Sequence, residues 1–271
     1  MKIAFIGGGN MATALIAGLA KELGAGARVH VVDPNPEALD KMASQFGAST
    51  ATAIDAAVAS CEVVVLAVKP QQMREVAAAL APHLGAGPLV LSIAAGICSA
   101  DLARWLGGYG AIVRTMPNTP ALIGMGITGM VATNGVSAAQ RAAADSVMRA
   151  VGKTVWLDSE ELIDPVTAVS GSGPAYVFYF LEAMQAAAVE MGLSAEQGKE
   201  LALATFAGAA ELAAQSPESL EVLRQRVTSK GGTTYAAITS MEASGVKPAI
   251  IEAMKAAAAR GRALGEELGK D

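Results

Sequence analysis

Aromatic residues make up only 4% of this 271-residue chain, so its core must be assembled from the aliphatic and small side chains that dominate the 52% hydrophobic fraction. Alanine is prominent among them, and its high helix propensity and small volume favour closely packed helices. Cysteine is nearly absent. Cys61 and Cys98 are the two present; both sit in apolar stretches without metal-ligand spacing, and read as reduced core residues of a cytoplasmic protein. Basic clusters are missing too. The net charge is −5 and Lys and Arg are scattered, which argues against a phosphate-neutralising nucleic-acid surface and against a basic helix lying on a membrane. Long unbroken apolar runs are also lacking. The uncharged stretch Thr115–Gln140 is interrupted by Pro117, Asn118, Pro120 and several glycines, unlike a membrane span. Gly7-Gly8-Gly9-Asn10 breaks the apolar segment that follows Lys2, so that segment does not read as a signal sequence.

What is present falls into two halves. Up to about Asp158, short β-rich runs alternate with helical stretches. The expected strands are Ile3–Ile6, Val29–Val32, Val63–Val68, Leu89–Ile93, Ala111–Thr115, Ile127–Ala132 and Thr154–Leu157; the expected helices between them are Met11–Leu23, Glu37–Phe46, Gln72–Ala81 and Ala138–Val151. Continuous apolar strands suit a parallel sheet covered on both faces, and the alternation predicts a doubly wound α/β domain over residues 1–160. After Leu162 the strand signals stop. Tyr176, Phe180, Met184, Ala187 and Met191 recur at helical spacing, widened by Val177 and Leu181, and further helices are expected at Ala195–Gln215, Leu220–Val227, Thr233–Ala243 and Lys247–Leu268. So wide a stripe predicts an all-helical domain over 161–271 whose apolar surface is shared with a second copy of the chain, that is, a homodimer.

Gly7-Gly8-Gly9-Asn10-Met11-Ala12 fits the pattern G-x-G-x-x-G/A, and its setting between strand Ile3–Ile6 and a long helix fits dinucleotide binding. Gly7 permits the tight turn, Gly9 lets backbone approach the pyrophosphate, and the helix start offers N–H groups to it. The domain is therefore expected to be Rossmann-like. Asp33 ends the second strand, where an acid accepts hydrogen bonds from the adenosine ribose and repels a 2′-phosphate; no arginine follows closely. Carboxyl ends of parallel strands line the cofactor, which adds the loops Ala67-Val68-Lys69-Pro70 and Ser92-Ile93-Ala94-Ala95-Gly96. The expected cofactor set is thus Ile6, Gly7, Gly8, Gly9, Asn10, Met11, Asp33, Asn35, Ala67, Val68, Lys69, Pro70, Ala94, Ala95 and Gly96, for NADPH or NADH. No metal site is expected.

His30, inside the second strand, and His83, in a turn after Pro82, are the two histidines, and neither reads as a general base at a substrate site. Imine reduction is less demanding than alcohol oxidation, because a protonated C=N is already electrophilic; it needs carboxylate capture, a hydrogen bond at the ring nitrogen and a placed hydride donor. Thr228-Ser229-Lys230-Gly231-Gly232-Thr233-Thr234 supplies such parts: glycines that free the backbone, and a helix start whose N–H groups make a nest for an anion. Simple helix capping by Ser or Thr explains the same residues.

Taken together, Phe5–Met11, Leu66–Pro70, Arg114-Thr115-Met116-Pro117-Asn118-Thr119-Pro120, Ser170-Gly171-Ser172-Gly173-Pro174-Ala175-Tyr176 and Ser229–Thr234 resemble the pyrroline-5-carboxylate reductases over nearly the whole chain. The resemblance implies reduction of 1-pyrroline-5-carboxylate to L-proline, and a helical domain interlocked with its twin, in some members within larger rings of dimers. It implies that Thr234 donates to the ring nitrogen as the catalytic residue. Gly232, Thr233 and Thr234, with Ser229 nearby, hold the carboxylate, and Glu160 lies at the substrate site. Four positions depart from the family pattern. Lys230 stands where many members carry proline, Gln225-Arg226 replaces a common Asp-Asn pair, and Ile54 replaces an asparagine that some members place near the adenosine ribose. Two other readings predict different features. A 3-hydroxyacid dehydrogenase-like enzyme would use a lysine of the helical half, for which Lys199 is the nearest candidate, and a redox-sensing module would leave the Gly231–Thr234 loop without a task.

Overall fold

The computed structural model describes residues 1–23, 28–85 and 87–270. It divides into two compact units, Met1–Ser172 with Ala256–Asp271, and Gly173–Lys255.

The first unit runs β1 (Lys2–Ile6), α1 (Asn10–Leu23), β2 (Arg28–Val32), α2 (Pro36–Phe46), β3 (Ser49–Ala51), α3 (Ala56–Ala59), β4 (Val63–Leu66), α4 (Met73–Leu80), β5 (Leu89–Ser92), α5 (Ser99–Trp105), β6 (Ile112–Met116), β7 (Gly126–Ala132), α6 (Ala138–Arg149), β8 (Gly152–Trp156) and α7 (Ile163–Val166). Among the described residues the strands form one sheet in the order β3-β2-β1-β4-β5-β6-β7-β8. The first six are parallel, β7 runs antiparallel to β6, and β8 is parallel to β7. The apolar runs explain the arrangement. Along β1, Ile3 and Phe5 enter one core cluster while Ala4 and Ile6 enter the other, and Val63 and Val65 of β4 alternate with Val64 and Leu66 in the same way. Both faces of each strand are therefore buried, which is what covering the sheet with helices on both sides requires. The strand order reverses beside β1, so the loops after β1 and β4 open the crevice in which open α/β sheets take ligands.

Most expected strands and helices are present, with ends moved by one or two residues. Four short elements, β3, α3, α5 and α7, are additions. His30, buried on β2, ties this edge together: its Nδ1 lies 2.9 Å from Ser49 Oγ on β3, and its Nε2 lies 3.4 Å from Asp55, which caps α3. At the far edge, Asp145 on α6 accepts hydrogen bonds from Thr154 Oγ1 at 2.7 Å, Trp156 Nε1 at 3.1 Å and Arg149 Nε. The Arg141 guanidinium covers the Trp156 ring at 3.8 Å, so β8 is held by one carboxylate and one stacked cation. The two thiols are free; burial pushes both up from their ordinary range, Cys98 further through its contact with Asp101, which keeps them protonated and unreactive.

The compact units divide differently from the expected 160/161 boundary. Ile163 and Ala168 are buried in the first unit, and Asn118 Nδ2 donates to Ser170 O at 3.1 Å. A Cβ on Gly129 would lie 2.7 Å from Val166, so β7 and α7 are in close contact. The segment Thr167–Gly171 is a π-helical turn, closed by Ser172 N–H donating to Thr167 O at 2.8 Å. At the other end, Gly265 lies so near Gly96 that a Cβ there would sit 2.6 Å from the Gly96 carbonyl oxygen.

The second unit holds α8 (Gly173–Glu190), α9 (Ala195–Gln215), α10 (Leu220–Arg226), α11 (Thr233–Ala243) and the first turns of α12 (Val246–Leu268). Ser194 and Gln197 form a capping box at the start of α9. Small residues bring α8 and α9 together: a Cβ on Gly198 would lie 2.8 Å from that of Ala188, and Ala202 is buried. The apolar stripe is not buried within one chain. Phe178, Tyr179, Met191, Leu201 and Leu212 are all more than half exposed. Among the described residues no helix is long and apolar enough to cross a membrane.

Burial works against the charge on Asp145, yet its hydrogen bonds from Thr154, Arg149 and Trp156, with the Arg149 charge, hold its carboxyl below the ordinary range. A depressed folded-state value adds stability that is fully present above the unfolded value, about pH 4, and is lost as pH falls through the folded value. Asp145→Ala should therefore destabilise the protein by about 1–3 kcal/mol near neutral pH, by orphaning the partly buried Trp156 donor. In urea titrations at several pH values, the gap from wild type should close in acid; a gap that stays constant with pH would contradict this origin.

Candidate active site

The turn after β1 is built by close approach. Gly7 has φ +104°, and a Cβ on it would sit 2.6 Å from Ala67 O at the end of β4, so only glycine fits. Gly7 N–H donates to Val32 O at 2.8 Å, and Gly8 N–H donates to Asp33 Oδ2 at 2.7 Å. The loop is thereby stitched to the end of β2. Gly9 is different: a Cβ there would meet nothing within 4 Å. This open space lies at the start of α1, whose first N–H groups have no intrahelical partner. A dinucleotide pyrophosphate fits such a cradle, with main-chain donors and the helix dipole directed at it.

The cleft beside this loop has a volume of about 640 Å³, within the range of small-molecule sites. Of the expected cofactor residues it gathers Ile6, Gly7, Gly9, Asp33, Ala67, Val68 and Lys69 along its lining. Asp33 is fixed twice over, since its Oδ1 also accepts from Asn35 N–H at 2.8 Å. Asn35 itself caps α2, its Oδ1 accepting from Glu37 N–H at 3.0 Å. Asn10, Met11 and Pro70 adjoin the lining without forming it. Ala94 and Gly96 lie elsewhere: Ala94 is buried in the core, and Gly96 backs onto Gly265. The far wall is Thr52, Ala53 and Ile54 after β3, with Gln72, Glu75, Val76 and Ala79 around α4. His83 also lines the cleft, although its sequence setting suggests only a surface turn. Its signal was positional, since it closes the helix that follows the Lys69-Pro70 loop.

Glu160 is held by buried partners. Its Oε1 accepts from Ser99 N–H at 2.7 Å and from Arg114 Nη1 at 2.8 Å, and the Arg114 side chain is only 7% exposed. The pair joins the start of α5, strand β6 and the turn before α7. Sequence reading recognised Arg114 only as part of a motif; a charged residue in mid-strand, which must find a counter-charge when buried, was the available signal.

In the second unit, Ser229, Gly232, Thr233 and Thr234 are brought together at the start of α11. Gly231 has φ +78°, and Gly232 N–H donates to Ser229 O at 3.0 Å, closing a tight turn. The N-cap is Gly232, without a side-chain cap hydrogen bond. Capping by Ser or Thr therefore does not account for these residues, and the N–H groups of Thr233 and Thr234 at the helix start are left for another acceptor. Lys199 on α9 is exposed and lies beside Glu182, as a solvated lysine would.

These glycines make separable predictions. Gly9→Ala should leave the melting temperature within a degree or so of wild type yet weaken dinucleotide binding about tenfold or more, because the methyl enters the pyrophosphate space. Gly7→Ala should lower the melting temperature as well. Nucleotide fluorescence titration alongside thermal melts checks both, and unchanged affinity in Gly9→Ala would place the pyrophosphate elsewhere.

Comparisons with known proteins match the two parts of the chain to separate family models, with the second beginning at residue 160. Residues 160–264 match the family model for pyrroline-5-carboxylate reductase dimerisation, and residues 2–96 match that for coenzyme F420-dependent NADP oxidoreductases. The pyrroline-5-carboxylate reductase of Pseudomonas aeruginosa is 47% identical over 269 residues, 99% of this chain and 98% of that protein. That of Escherichia coli is 37% identical, covering 93% of this chain and 94% of the relative. Among solved structures, the reductase of Coxiella burnetii superposes with a TM-score of 0.91 at 40% identity, covering 97% of each chain. The Plasmodium falciparum enzyme, solved with NADP bound, gives 0.86 at 29% identity over 98% of each chain. Identity of this extent over both units shows that the chain belongs to the pyrroline-5-carboxylate reductase family.

Proposed function

We propose that this chain reduces 1-pyrroline-5-carboxylate to L-proline, the last step of proline biosynthesis, with the substrate engaged at the Ser229–Thr234 loop. The observation that carries the assignment of the loop is the start of α11, which opens on Gly232 with no side-chain cap. A carboxylate is the natural occupant of such a set of N–H donors. In this reading the main chain of Gly232, Thr233 and Thr234, with Ser229 beside it, holds the substrate carboxylate, and the Thr234 hydroxyl donates to the ring nitrogen. Bound in the glycine-loop cleft, NADH or NADPH supplies a hydride from C4 of its nicotinamide to C5 of the imine. The imine enters protonated on nitrogen; as hydride adds at C5 the nitrogen regains its lone pair, which the Thr234 hydroxyl then donates to, and a proton from water completes the ammonium of proline. Glu160 completes the substrate set through Oε2, which carries no hydrogen bond among the described residues, while Ser99 and Arg114 fix its other oxygen.

Residues 1–160 carry the dinucleotide function in this reading, and 161–271 the substrate and dimerisation functions. The exposed apolar side chains of α8 and α9 support a homodimer, which can assemble further into a ring of dimers, acting in the cytoplasm.

The test is loss of reduced-nicotinamide absorbance with racemic 1-pyrroline-5-carboxylate, with proline measured as product. Thr234→Ala should lower kcat/KM by about a hundredfold while leaving dinucleotide affinity unchanged, as expected for one donor at the reacting centre. Turnover unaffected by the substitution would remove Thr234 from the chemistry. Absence of turnover with either cofactor, from folded protein that binds dinucleotide, would overturn the reductase reading.

A further inference from the structure

The loop after β2 reads Asp33-Pro34-Asn35-Pro36, and its hydrogen bonds are all spoken for. Asp33 Oδ2 accepts from Gly8 N–H at 2.7 Å and Oδ1 from Asn35 N–H at 2.8 Å. The carboxylate cannot swing out of the cleft without breaking both bonds, one of which anchors the glycine loop itself. Pro34 and Pro36 have no N–H to donate. The Asn35 N–H is used by Asp33, and the Asn35 side-chain oxygen is used by Glu37 N–H. The loop therefore offers an approaching anion no free main-chain donor over residues 34–36. It has no cation either, since the first basic residue after Asp33 is Lys41.

The rest of the cleft does not make up for this. Among the described residues its lining carries Lys69 and His83, with Glu75 beside Asp33 as a second acid, and Thr52, Ala53 and Ile54 across from the loop are uncharged. Its two carboxylates, Asp33 and Glu75, outnumber its one lysine.

Resting on the reading of the cleft as the dinucleotide site of a reductase, we propose that Asp33 and its two flanking prolines make this chain selective for NADH over NADPH. Each oxygen of Asp33 has acceptor capacity left after its backbone bond, which suits two ribose hydroxyls. A 2′-phosphate would instead place about two negative charges against a fixed carboxylate, with no free main-chain donor and no cation over residues 34–36 to receive them. The brace distinguishes this acid from an ordinary surface aspartate, which could rotate into solvent to admit the phosphate.

Binding without turnover tests this directly. Calorimetric titration of the full-length protein should give NAD⁺ an affinity about tenfold or more above that of NADP⁺ near pH 7.5. The double substitution Asp33→Ser with Pro34→Arg removes the carboxylate and adds a guanidinium; it should weaken NAD⁺ and move the affinity ratio towards NADP⁺ by about a hundredfold. The ratio within one protein is read, so a general loss of affinity from the missing Gly8 anchor does not obscure it. Equal or tighter binding of NADP⁺ by wild type overturns the proposal, as does binding of neither, or an unchanged ratio in the variant. A parallel assay with 1-pyrroline-5-carboxylate separates the two readings. Turnover that favours NADPH sinks the selectivity and leaves the reductase standing. No turnover despite the expected binding ratio sinks the reductase and leaves the selectivity standing.

Discussion

The bond between Gly8 N–H and the Asp33 carboxylate joins the two features on which the cofactor cleft depends. A glycine-rich turn gains its geometry from having no side chains, and the same lack leaves it with nothing of its own to hold its shape. Here the shape is imposed from outside. The Ala67 carbonyl packs against Gly7 from β4, Val32 O takes the Gly7 N–H, and Asp33 takes the Gly8 N–H. The ends of β2 and β4 thus converge on Gly7 and Gly8 after β1, which is possible only because β1 lies between β2 and β4 in the sheet. The arrangement leaves Gly9 and the first turn of α1 free, so the donors that face a pyrophosphate are the ones the fold itself does not consume.

The two units solve the problem of burial differently. In the first, alternate residues of β1, β4 and β5 fill two core clusters, one on each face of the sheet, and the largest apolar side chains reach zero exposure. In the second, Gly198, Ala188 and Ala202 let helices approach closely, but the large side chains of α8 and α9 point away from their own chain. A soluble monomer seldom exposes that much apolar surface in one region. The low aromatic content adds to this, since a helical unit of small residues has few bulky side chains with which to close a core by itself. Dimerisation, the role of the family model that spans residues 160–264, supplies the missing cover.

The sequence was most informative where local pattern and burial coincide. Strands β1, β2, β4 and β5 are legible because an interior parallel strand must be apolar on both faces, and α9, α11 and α12 because their lengths permit a clear period. Strand β3 has three residues, Ser49–Ala51, at an exposed edge, and α3 and α5 have four and seven; none is long enough to show a period. The helical half begins as a compact unit at Gly173 because Ile163 to Ser172 pack on β7 and β6, a tertiary fact that composition does not carry. The glycine loop and Asp33 were readable as a motif with a known geometry. Ile54 was placed near the adenosine ribose only through the family resemblance, and Thr52, Ala53, Glu75 and His83 were not readable, because they reach the cleft only through the strand order and carry no motif of their own. Ala94 and Gly96 follow β5 on the expected edge of the sheet, with Ala94 buried in the core and Gly96 packed against Gly265.

The scarcity of conventional catalytic side chains is consistent with the chemistry. Alcohol oxidation must remove a proton from oxygen as hydride leaves carbon, and so calls for a base of suitable pKa. A protonated imine already carries the charge that hydride transfer neutralises, and the amine formed is basic enough to take its second proton from water. What remains is orientation, which main-chain N–H groups and one hydroxyl can provide without titrating near neutral pH. The histidines are accordingly free for other work: His30 is buried as a link between β2 and β3, and His83 stands in the wall of the dinucleotide cleft. The buried Arg114, with its half-buried partner Glu160, holds backbone elements in place. In the proposed reading, polar function is thus carried mainly by helix starts and tight turns, and charged side chains serve chiefly to fix where those turns lie.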